Sequence, residues 1–287
     1  MTLRAAALAL VGMTAVASAE PMQVVVVKRA GVMAYEEVAE EFAEQCRVRA
    51  RVVSLGEEAV RAPRFSADDL VVTVGQEALD ALRGTKARVI PTLAFETPEG
   101  MTGPPMAPHP ELILRVLSLA RGAKIHTVGV AFGPRSSTVV AQAKRAADRL
   151  GLVMLTTRVA SGPEAVRALH QMSGKVDALW LPGDTDVVTP QVFQYALRLQ
   201  LERGLPVAAA TRQHVHSGAL MAADFSPRAA GRIAADLANR YLEGRSVPAD
   251  PSELDLYSGA RVTVNAQVAR RLGVDVDALQ KMGARVE

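Results

Sequence analysis

The chain has 287 residues, about half of them hydrophobic, a formal charge of +3 and one cysteine. That length and apolar content are enough for two ordinary cores. The lone Cys46 excludes an internal disulfide, and scattered arginines with few aromatics give no support to a nucleic-acid surface.

Residues 1–19 read as a targeting segment. Arg4 supplies the positive start, Ala5 to Val16 an apolar core, and Ala17-Ser18-Ala19 the small-residue cleavage pattern. Cleavage after Ala19 would export a mature chain beginning at Glu20. The apolar core is too short for a comfortable membrane span, and no cysteine stands near the cleavage point to take a lipid. The mature protein is expected to be soluble and outside the cytoplasm.

Strands and helices then alternate. Gln23 to Lys28 is a β-branched run of the kind buried on both faces of a sheet. Tyr35 to Cys46 is an amphipathic helix with Val38, Ala39, Phe42 and Cys46 inward and Glu36, Glu37, Glu40, Glu41 and Glu44 outward. Arg47 to Leu55, Asp69 to Val74 and Arg88 to Phe95 read as further strands, with a helix at Gln76 to Arg83. Between Leu55 and Asp69 only a short helix fits. Glu96 to Pro110, with two glycines and five prolines, has no periodicity and reads as a crossover. The alternation resumes with helices at Glu111–Ala120, Val139–Leu150, Pro163–Met172 and Pro190–Arg203. Strands fall at Thr127–Phe132, Leu152–Arg158, Val176–Leu181 and Pro206–Ala210.

The most informative stretch runs from Gly218 to Gly244. An apolar strand, Ala219 to Ala223, ends on Asp224; Ser226 is a suitable N-cap and Pro227 suits the first helical turn. Ala230, Ile233, Ala234, Leu237 and Tyr241 then mark one apolar helix face. A strand over Leu254–Val264 and helices over Asn265–Leu272 and Val276–Met282 close the chain. The fold expected is α/β: two doubly wound parallel-sheet lobes around a cleft. One lobe takes 20–107 plus about 226–250, the other 108–225 plus about 251–287.

In such sheets ligands sit beyond the carboxyl ends of the strands. Those tips are Gly75-Gln76, Gly133 to Thr138, Gly183 to Asp186, Arg212 to Ser217 and Asp224-Phe225. Each alone is ordinary turn chemistry; together in an exported chain they suggest a cleft for a small polar solute. Asp184 and Asp186 have no third ligand nearby, and His214 and His216 read as solvated loop residues, so no metal site is expected. No nucleophile elbow or phosphate loop is present, which favours binding over catalysis. Trp180 reads as core.

Several segments resemble the periplasmic substrate-binding proteins of ABC transporters that include tryptophan- and tyrosine-binding members, with the type I periplasmic-binding fold. They are GKVDALWLPGDTDVV (174–188), GLPVAA (204–209), HSGALMAADFSPRAAG (216–231) and VTVNAQVARRLGVDV (262–276). VVTVGQEALDAL (71–82) and MTG (101–103) are weaker matches in the right order. The resemblance implies a receptor that closes on a small molecule, an amino acid among the candidates, and delivers it to an inner-membrane ABC permease. It implies a monomer without cofactor, metal or enzymatic activity. The ligand-facing positions it implies are Gln76, Ser136, Ser137, Asp184, Ser217 and Asp224, with Asp224 suited to a ligand amine. The chain departs from the family pattern at Gln76, at Gly133-Pro134 and in its trimmed first lobe. These departures motivate the alternative of a periplasmic sensor or interaction module with an altered cleft.

Overall fold

A computed structural model describes residues 22–56, 64–94, 97–120, 125–247 and 259–287. The targeting segment, the short connection after Leu55 and the start of the strand expected at Leu254 lie outside these residues.

Two sheets organise the chain. The smaller is fully parallel, in the order β2-β1-β3-β4, from Val24–Arg29 (β1), Arg51–Leu55 (β2), Leu70–Val74 (β3) and Arg88–Thr92 (β4). Its central strand explains the valine run. Val24 and Val26 pack against α1 (Met33–Gln45) and α8 (Pro227–Leu242). Val25 and Val27 pack on the opposite face against α2 (Gln76–Ala81). With both faces covered, a strict polar alternation has no place. Each buried valine contributes about 1.5–3 kcal/mol relative to exposure.

The larger sheet has seven strands in the order β11-β10-β9-β8-β7-β5-β6. These are Thr127–Phe132 (β5), Val153–Arg158 (β6), Ala178–Trp180 (β7), Val207–Ala209 (β8), Met221–Phe225 (β9), Ala260–Val264 (β10) and Arg285–Val286 (β11). One face packs against α3 (Pro110–Leu119), α4 (Ser137–Leu150), α9 (Ala266–Leu272) and α10 (Val276–Lys281), with Trp180 inside that core. The other packs against α5 (Gly162–Met172) and α6 (Pro190–Arg203).

The expected α/β architecture of parallel sheets flanked by helices is what the structure shows, with one antiparallel pairing at the edge of the larger sheet. β10 pairs antiparallel with β9, Ala260 opposite Phe225, and β11 follows β10's direction. The chain leaves this sheet at the end of β9, builds α8 on the other sheet, and re-enters beside its own exit. It must therefore run backwards.

Two details of α1 and α8 also differ from expectation. Ser226 stands at the N-cap position, but its side chain caps nothing. Glu41, read as solvent-facing, is only 8 % exposed because α8 covers it, and Arg228 Nη1 reaches its carboxylate at 3.3 Å. Cys46, at the end of α1, is half-buried, and that burial pushes its thiol up.

The two helices meet closely. A Cβ on Gly231 would stand 2.6 Å from the carbonyl oxygen of Val38, so only glycine permits the approach. At the far end Asn239 Nδ2 donates to the Gln45 carbonyl (3.0 Å), and its oxygen accepts from Arg47 N (2.9 Å). These bonds satisfy backbone groups that the end of α1 would otherwise leave open. Replacing Gly231 by valine should cost about 1–3 kcal/mol by overpacking. A lower urea midpoint with an unchanged m-value is the expected readout; an unchanged midpoint would show that the helices can part without loss.

Candidate functional site

On the smaller sheet, Gln76 opens α2 directly beyond the tip of β3, and its amide donates to Asp80 Oδ1 at 3.1 Å. Arg83 also bonds Asp80 Oδ1. Burial would raise the Asp80 carboxyl, but the bonds from Arg83 and Gln76, with the charges of Arg83 and of Arg135 from the other sheet, hold it below its ordinary range. Near the tip of β1 lies a residue whose chemistry the sequence reading passed over. Lys28 is only 3 % exposed and donates to Glu36 (2.5 Å) and Ser54 (3.2 Å). Its signal was a lone charge at the end of an apolar run. Next to it, Arg29 pairs with Glu77 of α2 at 2.9 Å.

On the larger sheet, the tips of β5 and β7 are tied together by Asp184. Its Oδ2 accepts from Gly133 N (3.1 Å) and Ser136 Oγ (2.7 Å), while Oδ1 is buried with no partner among the described residues. The carboxyl approaches so closely that a Cβ on Gly133 would lie 2.8 Å from Oδ2 and 2.7 Å from Val187. Ser137 begins α4 and its hydroxyl reaches the Gly133 carbonyl at 3.5 Å. Asp184 is thus 3 % exposed and chiefly shapes the turn. Asp186, two residues on, is exposed and pairs with Arg135 at 3.2 Å.

Asp224 is half-buried near the end of β9. Its Oδ2 accepts from Arg212 N at 3.0 Å, and Arg212 opens α7 (Arg212–His216). Burial pushes the Asp224 carboxyl up, against the pull of the Arg212 amide and the Arg261 and Arg212 charges. α7 then runs back along β9, so Ser217 lies at the opposite end of that strand, where Asn265 Nδ2 donates to the Val215 carbonyl (3.0 Å). Ser217 therefore does not share a strand tip with Asp224. The two histidines expected in a solvated loop are both on α7. His214 packs on the Phe193 ring, centroids 4.7 Å apart, and burial lowers its pKa.

His216 joins a second cluster. Glu287 accepts from Arg212 Nε (2.9 Å) and Nη2 (2.6 Å), contacts His216 Nε2 at 2.9 Å and pairs with Arg285 at 2.7 Å. The Arg212 bonds above all, then His216, hold its carboxyl at about 2. Between these groups opens a cavity of about 250 Å³, lined by Arg212, Asp224, Arg261, Thr263 and Arg285 and, from α1, by Glu37. Both sheets' helical layers thus contribute to one lining. Among the described residues, no three His, Cys, Asp or Glu side chains are arranged to hold a metal ion, and no helix is long and apolar enough to cross a membrane.

Residues 111–285, well over half of the chain, match the family model for ABC transporter substrate binding proteins. The chain belongs to this family. No curated protein matches it in sequence. Among solved structures, it is similar to a ligand-free, open substrate binding protein with adhesive properties from Clostridium difficile. The TM-score is 0.69 at 16% identity, covering 93% of this chain and 99% of that one. It is also similar to an ABC domain in complex with L-Trp from Streptococcus pneumonia (TM-score 0.62, 18% identity, 92% and 100% covered). A periplasmic ribose ABC transporter protein from Conexibacter woesei is a third (0.54, 15%, 90% and 97%). The architecture is that of periplasmic-binding proteins of type I, and family membership makes this a substrate-binding protein.

The Glu287 cluster gives a pH signature. Its folded carboxyl sits near 2, below the ordinary value of 4.5. The stabilisation is therefore present above about 4.5 and is lost as pH falls towards 2. Glu287→Gln should be less stable than the parent at pH 7, with the gap in urea midpoint closing across that acid window. A gap independent of pH would mean that the carboxylate charge is not what holds Arg212 and Arg285.

Proposed function

We propose that the chain is the extracytoplasmic receptor of an ABC importer. Its leader, residues 1–19, directs it to the periplasm and is cleaved after Ala19. The mature protein holds a small polar solute, an amino acid among the candidates, and passes it to an inner-membrane permease. It does so as a monomer, without catalysis or cofactor.

The observation that carries this reading is the cavity whose lining joins Glu37 of α1 to Arg212, Asp224, Arg261 and Arg285. A solute that touches both linings binds one relative placement of the sheets better than any other. It shifts the population towards that placement by the difference in affinity. Asp224 is the central contact, near the exit of β9. Gln76, Ser136, Ser137 and Asp184 belong to other strand tips outside the lining of that cavity; on this reading Gln76 and Ser137 offer further contacts, and Asp184 fixes the turn that carries the two serines. Ser217, at the other end of β9, has no part in the site.

The test is a thermal melt of the mature chain against a broad panel of amino acids, sugars and organic acids. A true solute at one hundred times its Kd stabilises by about 2.7 kcal/mol, a shift of several degrees. Asp224→Asn should weaken that solute about ten-fold or more, the scale of a lost charge-assisted hydrogen bond. A folded protein whose melt no member of the panel moves would defeat the proposal.

A further inference from the structure

We propose that the solute carries a carboxylic acid group and that Arg261 is the residue that selects for it. This rests on the cavity being the solute site, and it goes further by naming the class of solute.

The lining holds three guanidinium groups, from Arg212, Arg261 and Arg285, against the two carboxyl groups of Asp224 and Glu37. Arg212 and Arg285 are already engaged, since both bond Glu287. Arg261 is different. It is exposed, and no ion pair among the described residues engages it. It stands directly opposite Asp224 in the β9–β10 register, so the two side chains share a face of the sheet. Asp224 Oδ2 is occupied by the Arg212 amide, and no ion pair among the described residues joins the carboxyl to Arg261.

Thr263, two residues along β10, places a hydroxyl on the same face, where a second acid oxygen could meet it. An exposed guanidinium beside a hydroxyl donor is suited to a planar carboxylate, which it can hold through two parallel hydrogen bonds. The neighbouring cluster shows the same chemistry within the chain, where Arg212 grips the Glu287 carboxylate through Nε and Nη2. A cavity of about 250 Å³ admits a small organic acid and is too small for a peptide.

The experiment melts the mature chain with matched probes: succinate, malate and glutarate as acids, succinamide as the neutral partner, ribose, putrescine and inorganic phosphate. Acids should raise the melting temperature and succinamide should not. Arg261→Gln should weaken the bound acid about ten-fold or more, and Arg261→Lys should retain part of the affinity. The unliganded melt of both variants should stay close to the parent's, because the Arg261 side chain is exposed and no ion pair among the described residues engages it. Stabilisation by ribose, putrescine or phosphate with no response to acids would overturn the inference and leave the receptor reading standing. So would acid binding that Arg261→Gln leaves unchanged. No response to any probe or to the wider panel would remove the receptor reading as well.

Discussion

Three residues, Phe225 to Pro227, carry the chain from a strand of one sheet into the helix that seals the core of the other. β9 has its alternate side chains, Met221 and Ala223, in the larger core, and α8 places Ala230, Ala234 and Leu237 in the smaller one. Neither element can shift along its axis without dragging the other. The contact that anchors the arrangement is the approach of α8 to α1 at Gly231, where backbone meets backbone. Asp224, Glu37 and the arginines meet at a single cavity because this join fixes α1 against the end of β9.

Much of this was legible in the residues. The valine run of β1 and the alanine face of α8 identify buried elements because burial on two faces, or against a close helix, leaves few alternatives. Asp224 was legible for the same reason: a carboxylate ending an apolar strand has to sit where the strand emerges. Other features depend on partners distant in sequence. Glu41 looked solvent-facing because the helix covering it lies nearly two hundred residues away. The reversed direction of β10 could not be read from its composition, since a Val-rich strand pairs either way. Ser217 was misplaced because α7, five residues long, is too short to show a period, and that one turn and a half moves the serine to the other end of β9.

The site's electrostatics divide into groups that satisfy one another and groups that do not. Asp184 Oδ2 is taken up by Gly133 and Ser136, its Oδ1 having no partner among the described residues, and Glu287 is taken up by Arg212, His216 and Arg285. These pairings hold turns and edges in place, and they leave the recognition chemistry to a few remaining side chains around the cavity. The departure at Gly133-Pro134 has a local cause. Any larger residue at position 133 would collide with the Asp184 carboxyl, so the glycine and the aspartate belong to one turn design.

The reversed entry of β10 has a mechanical consequence. Ser226 N bonds to the Gly259 carbonyl at 3.1 Å, and Ala260 lies in register with Phe225. The outgoing and returning passages are therefore laced into a two-ply ribbon. A swing of one half against the other would have to bend this join, and the Asp224 carboxyl lies within two residues of it.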